Sequence, residues 1–193
     1  LPLFVWMGEI LYRTKLSENL FKGLAPWMSR LPGGLIHVNV VGCALFAAIS
    51  GSSAATVATV GKMSIPELRK RKYPEKLILG SLAGSGTLGL LIPPSIILII
   101  YGVTVQESIA KLFIAGIIPG IMIAIFFMLY VISWSILNKE SMPQIKERFS
   151  LSKKIKDSMQ LIPVIVLITS VIGSIYVGVA TATEAASLGV VGA

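Results

Sequence analysis

Charged residues are scarce in this 193-residue sequence, and long stretches lack them entirely. Only 13% of the residues are Asp, Glu, Lys or Arg, and 54% are hydrophobic, whereas about a quarter of the residues in a soluble domain are charged. Residues 31–61, 77–106, 112–138 and 158–183 carry none of the four charged residue types. Each stretch reaches the roughly 20 residues that a helix needs to cross a bilayer. The sequence therefore predicts an all-α integral membrane protein, because helices satisfy their own backbone hydrogen bonds in lipid.

Cysteine and histidine are almost absent, which excludes several kinds of site. The single cysteine, Cys43, lies in an apolar stretch, so the chain offers no disulfide framework and no cysteine-based metal cluster. Nothing in the sequence brings the single histidine, His37, close to a serine, which disfavours an intramembrane serine protease. No phosphate-binding loop precedes Gly61-Lys62. We therefore expect no catalytic residue and no cofactor, and the chain is not expected to be an enzyme.

The net charge of +8 comes from Lys and Arg in short segments between the apolar stretches. A nucleic-acid-binding protein concentrates such residues on one soluble face, so nucleic acid is not an expected partner. Membrane proteins instead collect them in cytoplasmic loops. Segments 13–30, 62–76 and 139–156 are accordingly expected in the cytoplasm, and residues 102–111, with a single lysine, on the opposite side. The lipid bilayer is the expected surrounding.

Residues 31–61 do not fit a simple crossing helix, because basic segments flank both ends. Two full crossings would need about 40 residues and a turn. The sequence therefore predicts a re-entrant hairpin, with short helices near 35–49 and 54–62 and a polar tip at residues 50–53. Non-helical backbone at that depth is stable only inside protein or beside a wet cavity, which indicates a binding site.

Residues 77–101 contain four glycines followed by Pro93 and Pro94. A proline inside a helix removes a backbone donor and clashes with the preceding turn. We therefore predict half-helices near 77–84 and 95–101, joined by an unwound stretch at 85–94. Two interrupted helices that meet near the middle of the membrane are typical of the binding sites of secondary transporters.

The ends of interrupted helices provide groups that bind ions. Free N–H groups at half-helix N-termini favour an anion, and unwound carbonyls with Ser or Thr hydroxyls suit a small cation. The same residues have plainer interpretations, since Ser52 or Ser53 can cap a helix and the glycines can pack two helices closely. Near the end of the chain, Thr183 can cap a helix that carries Glu184 in its first turn.

The resulting order of segments is a single transmembrane fragment without an initiator Met. Both ends look truncated, so we expect a piece of a longer chain. The segments are the end of a transmembrane helix at 1–12, an interfacial amphipathic arm at 13–30, the re-entrant hairpin at 31–61, a broken helix at 77–101, transmembrane helices at 112–137 and 158–180, and the start of a second repeat at 181–193.

Four motifs resemble the large membrane subunit (the permease, or DctM-like, subunit) of tripartite ATP-independent periplasmic (TRAP) transporters. They are Leu31-Pro32-Gly33-Gly34, AAISGSSAATVATVG at 47–61, GSGTLGLLIPPS at 84–95 and TATEAA at 181–186. The motifs follow one another in the order and spacing of the family, and the resemblance covers essentially the whole chain. One departure is Ala182, where the family usually has proline.

The resemblance implies an elevator-type carrier made of two inverted repeats, each with a hairpin and a broken helix. This chain then holds most of the first repeat, and the second hairpin with any substrate-binding arginine lies beyond Ala193. The resemblance also implies a sodium site between the tip and the break, with substrate-facing serines beside it. The expected sodium ligands are Ser50, Ser53, Gly86, Thr87, Gly89 and Pro94, and the expected substrate-facing residues are Ser52 and Ser95.

The function implied by the resemblance is sodium-coupled secondary transport of a small organic carboxylate across the bacterial inner membrane, by a multi-pass protein. The carboxylate is of the C4-dicarboxylate, keto acid or sialic acid type, and Na⁺ is the coupling ion. The implied partners are a small membrane subunit and a periplasmic solute-binding protein that delivers the substrate.

Three other functions remain open from the residues alone. One is a sodium–carboxylate symporter of related hairpin fold that works without a binding protein. Another is an ion channel whose filter is the re-entrant loop. The third is a scaffold subunit, for which two polar interruptions at depth would be costly.

Overall fold

The computed structural model describes residues 2–14, 16–143 and 151–192. The chain is helical throughout most of these ranges and forms no β-strand within them, which confirms the all-α class. The α-helices are α1 (Pro2–Arg13), α2 (Leu16–Met28), α3 (Ile36–Ser50), α4 (Ser53–Lys70), α5 (Glu75–Gly86), α6 (Ile96–Val105), α7 (Ile109–Leu137), α8 (Leu151–Ser158), α9 (Ile162–Tyr176) and α10 (Ala182–Gly192).

Helix α3 lies at the centre of the fold and packs against α1, α2, α4, α5, α7 and α9. Nearly all of its residues are buried. Its sequence is apolar on every side, and such a helix is stable only where neighbours cover it all round. Helix α3, the first arm of the hairpin, is therefore the core around which the other helices are arranged.

Helices α3 and α4 form a helical hairpin around Gly51 and Ser52. A Cβ on Gly42 of α3 would touch Val60 of α4 at 3.6 Å, so the two helices lie side by side. Helix α4 extends to Lys70, well beyond the predicted end near residue 62. Good helix formers continue past the apolar stretch, and Glu67 pairs with Arg71 one turn later at 2.8 Å. The depth of this hairpin in a bilayer stays a prediction.

The interruption after α5 is narrower than predicted. Helix α5 continues to Gly86, a 3₁₀ turn follows at Thr87–Leu90, and α6 begins at Ile96. The expected unwound stretch began at residue 85. Glycine weakens a helix but keeps its backbone N–H, whereas proline lacks it. Helical geometry therefore persists almost to Pro93 and Pro94.

Two helices are long and apolar enough to cross a membrane: α7, and a continuous helical stretch at 153–176 that includes α9. Large apolar side chains on α7 face outward, among them Ile118, Phe126 and Tyr130, which are 69%, 59% and 62% exposed. Apolar patches of this kind mark surfaces that lipid or another protein covers. Membrane-length helices were predicted here, and the structure contains them.

Helix α10 begins at a capping box that the sequence analysis placed two residues too late. The Thr181 backbone N–H donates to the Glu184 carboxylate at 2.8 Å, and the Glu184 N–H donates to the Thr181 hydroxyl at 3.4 Å. Thr181, and not Thr183, therefore caps the helix. The spacing of Thr181 and Glu184 is that of a capping box, so the sequence already carried the signal.

Candidate functional site

The hairpin tip and the break in the second interrupted helix touch each other. The backbone N–H of Ile96, the first residue of α6, donates to the carbonyl of Gly51 at 3.2 Å. Gly51 has a φ of +61°, and a Cβ at this position would collide with the carbonyl oxygen of Pro94. Glycine is needed twice over, because it adopts the left-handed conformation without strain and lets the two segments approach.

Two glycines on the other side of the break also press against the hairpin. A Cβ on Gly89 would lie 2.9 Å from the backbone nitrogen of Ser53 and 3.0 Å from the carbonyl carbon of Ser52. A Cβ on Gly86 would collide with Val57, one turn into α4. Of the predicted ligands, Gly89 therefore brings its backbone directly against the tip, and Gly86 packs beside it on the first turn of α4.

The hydroxyl groups of the tip form a short buried network. Ser50 and Thr56 share a hydrogen bond at 3.0 Å, and the Thr56 hydroxyl also lies 2.7 Å from the carbonyl oxygen of Ser52. The Ser52 hydroxyl accepts from the N–H of Ala55 at 3.4 Å, which makes Ser52 the cap of α4. The capping interpretation of Ser52 is thus realised in the structure.

Ser53 differs from its neighbours. Its hydroxyl oxygen is buried and makes no hydrogen bond to the described residues. A buried polar atom without a partner is unfavourable by about 1–3 kcal/mol. An oxygen left in this state beside a contact of two backbone segments is available to a cation.

Ser95 caps α6 in the way that Ser52 caps α4. Its hydroxyl donates to the Leu90 carbonyl at 2.7 Å and accepts from the Leu98 N–H at 3.4 Å, and the residue is fully buried. The N-termini of α4 and α6 therefore lie at the same contact. Two helix N-termini carry free N–H groups and partial positive charge, which favours an anion.

The Thr87 side chain makes no hydrogen bond to the tip among the described residues. Its side chain is exposed, and its hydroxyl donates to the Gly84 carbonyl at 2.7 Å. The remaining predicted residues, Ser50, Ser52, Ser53, Gly86, Gly89, Pro94 and Ser95, lie at or beside the contact of tip and break. A role for Thr87 at the site would require its backbone carbonyl or a different side-chain rotamer.

The structure adds residues that the sequence analysis did not assign to the site. Thr56 completes the hydroxyl network, and its position four residues after Ser52 places both on one helix face. Gly8 of α1 also packs on the tip, since a Cβ there would lie 3.2 Å from the Cβ of Ser50. Nothing in the sequence around Gly8 signals this contact.

A second buried polar cluster holds α3 to α5. The Asn39 side-chain amide donates to the Ser81 hydroxyl at 3.0 Å, and the Ser85 hydroxyl lies 3.3 Å from the Asn39 carbonyl oxygen and 2.6 Å from the Ser81 carbonyl oxygen. Interhelical hydrogen bonds of this kind fix the packing of membrane helices. The cluster joins the hairpin to the helix that carries the break.

Comparison with known proteins identifies relatives along the whole chain. The family model of the tripartite ATP-independent periplasmic transporter, DctM component, matches residues 1–193. A C4-dicarboxylate TRAP transporter large permease protein from Pseudomonas aeruginosa is 34% identical over 191 residues, which are 99% of this chain and 44% of that protein.

The names of two further relatives specify other solutes. A sialic acid TRAP transporter large permease protein from Vibrio cholerae is 35% identical, with 97% of this chain and 43% of that protein covered. An ectoine/5-hydroxyectoine TRAP transporter large permease protein from Ruegeria pomeroyi is 33% identical, with 96% and 43% covered. The chain thus spans less than half the length of these relatives. It belongs to the DctM component family of TRAP transporters, a family of transporter subunits and not of enzymes.

Proposed function

We propose that this chain is part of a carrier that moves a small organic carboxylate across the bacterial inner membrane by sodium-coupled secondary transport. The observation that supports this most is the contact of the hairpin tip with the helix break, beside the unpartnered hydroxyl of Ser53. Secondary transporters place substrate and coupling ion at interrupted helices of this kind. Membership of the family is consistent with the same function.

The sodium ion is proposed to bind the oxygens of the tip and the break. Its ligands are the hydroxyls of Ser50 and Ser53 and the backbone carbonyls of Gly86, Thr87, Gly89 and Pro94. Sodium prefers oxygen ligands, and carbonyls at the ends of interrupted helices provide them. Binding would satisfy the Ser53 hydroxyl and hold tip and break together.

The carboxylate is proposed to bind at the two helix N-termini, beside Ser52 and Ser95. Ser52 is the N-cap of α4 and Ser95 is the N-cap of α6. Their hydroxyls therefore lie beside the free N–H groups at the N-termini of these helices. An ordered tip presents these donors to the anion, so that sodium raises the affinity for substrate. Thermodynamic linkage requires that the substrate raise the affinity for sodium by the same factor.

The proposed partners are a small membrane subunit and a periplasmic solute-binding protein that delivers the substrate. The tripartite family supports both. The names of two relatives denote carboxylic acids, a C4-dicarboxylate and a sialic acid. We therefore propose a carboxylate of this general class, with its identity set by residues of the complete permease.

The test is uptake by the complete transporter in proteoliposomes, measured against sodium concentration. Ser53→Ala should raise the sodium concentration for half-maximal uptake on the order of tenfold, because a hydrogen-bonding or ligating contact to a charged group is lost. Ser174→Ala is the matched control, since its hydroxyl donates to the Val171 carbonyl at 2.8 Å within α9.

The control should keep the sodium dependence of the wild type, and neither change should alter binding of the solute-binding protein. Unchanged sodium dependence in Ser53→Ala would remove this residue from the ion site. Equal uptake with and without a sodium gradient in the wild type would overturn sodium coupling itself.

A further inference from the structure

A cluster of cationic and aromatic side chains lies where α2 packs against α8. A Cβ on Gly23 of α2 would lie 2.6 Å from the Leu161 side chain and 3.2 Å from the Asp157 carbonyl oxygen, so the two segments are in close contact. The Trp27 indole N–H donates to the Ser158 hydroxyl at 2.7 Å. This hydrogen bond fixes the indole ring across the junction.

Lys154 is the unusual member of this cluster. It is only 3% exposed, and its ammonium nitrogen lies 5.1 Å from the centre of the Trp27 ring, a cation–π distance. Arg30 follows Trp27 by three residues, just beyond the end of α2, and is exposed. Among the described residues no carboxylate forms an ion pair with Lys154. A buried ammonium and an exposed guanidinium at one helix junction favour an anion beside them.

The surroundings of the cluster indicate which kind of anion. The side chains of Trp27, Ile155 and Met159 are 49%, 63% and 60% exposed on the same pair of segments. Helix α8 continues through Met159–Leu161 into the apolar α9, so the cluster lies where a membrane-length helix begins. Tryptophan and basic residues collect at this level of the bilayer. A soluble anion would leave these apolar side chains exposed to water, whereas the acyl chains of a lipid would cover them.

We propose that Arg30, Trp27 and Lys154 form a binding site for the phosphate headgroup of an anionic phospholipid in the cytoplasmic leaflet. The exposed Arg30 contacts the phosphate, and the buried Lys154 ammonium, which the Trp27 ring holds in place, adds positive charge behind it. Ile155 and Met159 lie against the acyl chains of the same lipid. Basic pockets beside transmembrane helices on the cytoplasmic side recognise such headgroups. The site anchors the α2–α8 junction in the interface and shares no residue with the proposed transport site.

Native mass spectrometry of the purified complete transporter tests this proposal. The protein is titrated with phosphatidylglycerol and, separately, with phosphatidylcholine. Lys154→Gln and Arg30→Gln should each weaken binding of one phosphatidylglycerol molecule by roughly fivefold or more, the effect expected for one interfacial cation. Lys156→Gln is the matched control, because Lys156 is an exposed lysine on the same helix.

The wild type and Lys156→Gln should retain this lipid equally, and phosphatidylcholine should not replace it. Lys154→Arg should restore binding, which separates loss of the charge from damage to the fold. Equal phosphatidylglycerol binding by Lys154→Gln, Arg30→Gln and Lys156→Gln would overturn the proposal. Displacement of the lipid by millimolar inorganic phosphate would also overturn it, because the site would then be one for a soluble anion.

Discussion

At the scale of single residues, the contact of tip and break depends on glycines, which have no side chain. Gly51 and Gly89 lack the Cβ atoms that would strike the opposite backbone. Ser53 has a hydroxyl but no protein partner among the described residues. The site is therefore defined by close backbone approach and by an unsatisfied oxygen, and not by charged side chains.

Gly51→Ala should lower the stability of the complete protein and the rate of its sodium-dependent uptake. A non-glycine residue in the left-handed conformation is destabilised by about 1–2 kcal/mol, and the added methyl group would also push Pro94 away. The midpoint of thermal unfolding of the purified transporter should fall, and uptake should fall with it.

Gly80→Ala is the matched control for this change. Among the described residues, nothing other than the backbone of its own helix lies within 4 Å of a Cβ at Gly80 in α5. Alanine is the better helix former by about 0.8–1 kcal/mol, so stability should stay level or rise. An equal loss of stability in both variants would contradict the role given to the contact at Gly51.

The sequence predicts many of these residues but not their contacts. The sequence offered Ser52 or Ser53 as a helix cap, and the structure selects Ser52. Ser53 and Thr87 were both predicted as sodium ligands. The Ser53 hydroxyl has no partner among the described residues, whereas the Thr87 hydroxyl donates to the Gly84 carbonyl of the preceding helix. Local propensity does not contain the rotamer or the packing that decides this difference.

At the scale of helices, the short loop between α4 and α5 supports the start of α3. The Leu35 backbone N–H donates to the Tyr73 hydroxyl at 3.0 Å, and both residues are buried. The first N–H groups of a helix lack partners within the helix. Tyr73 thus supplies from a distant segment what a local capping side chain usually supplies, and nothing in the sequence pattern links the two positions.

Tyr73→Phe should destabilise the protein by about 1–3 kcal/mol, because it leaves the Leu35 N–H buried without a partner. The measurement is thermal unfolding of the purified complete protein. Tyr101→Phe is the control, since Tyr101 is 54% exposed on α6 and its hydroxyl should contribute little. Equal melting temperatures of the two variants would show that the Leu35 N–H finds another partner.

The boundaries of the interrupted helices show where sequence patterns mislead. Glycine-rich sequence predicted unwinding from residue 85, but α5 persists to Gly86, because glycine keeps its backbone N–H and Gly86 packs against Val57 of α4. The end of the apolar stretch predicted the end of α4 near residue 62, but the helix continues to Lys70. Hydropathy reports where the bilayer ends, and it does not report where a helix ends.

At the scale of the whole molecule, the fold is a buried helix, α3, surrounded by other helices. Helix α3 is nearly all buried, whereas α7 exposes large apolar side chains. Composition and charge spacing predicted the class and the two membrane-length helices, since both follow from bilayer thickness. They do not determine which helices pack together, because interior contacts depend on side-chain shape.

The central claim is that the α3–α4 hairpin enters and leaves the membrane on one side, so that its tip meets the break at depth. Sided labelling tests this most directly in the complete transporter, with single cysteines introduced by Arg30→Cys, Lys70→Cys and Glu107→Cys in a Cys43→Ala background free of other cysteines. An impermeant thiol reagent should reach the first two only from the cytoplasmic face and the third only from the periplasmic face. Labelling of positions 30 and 70 from opposite faces would show a single crossing, and would contradict the account.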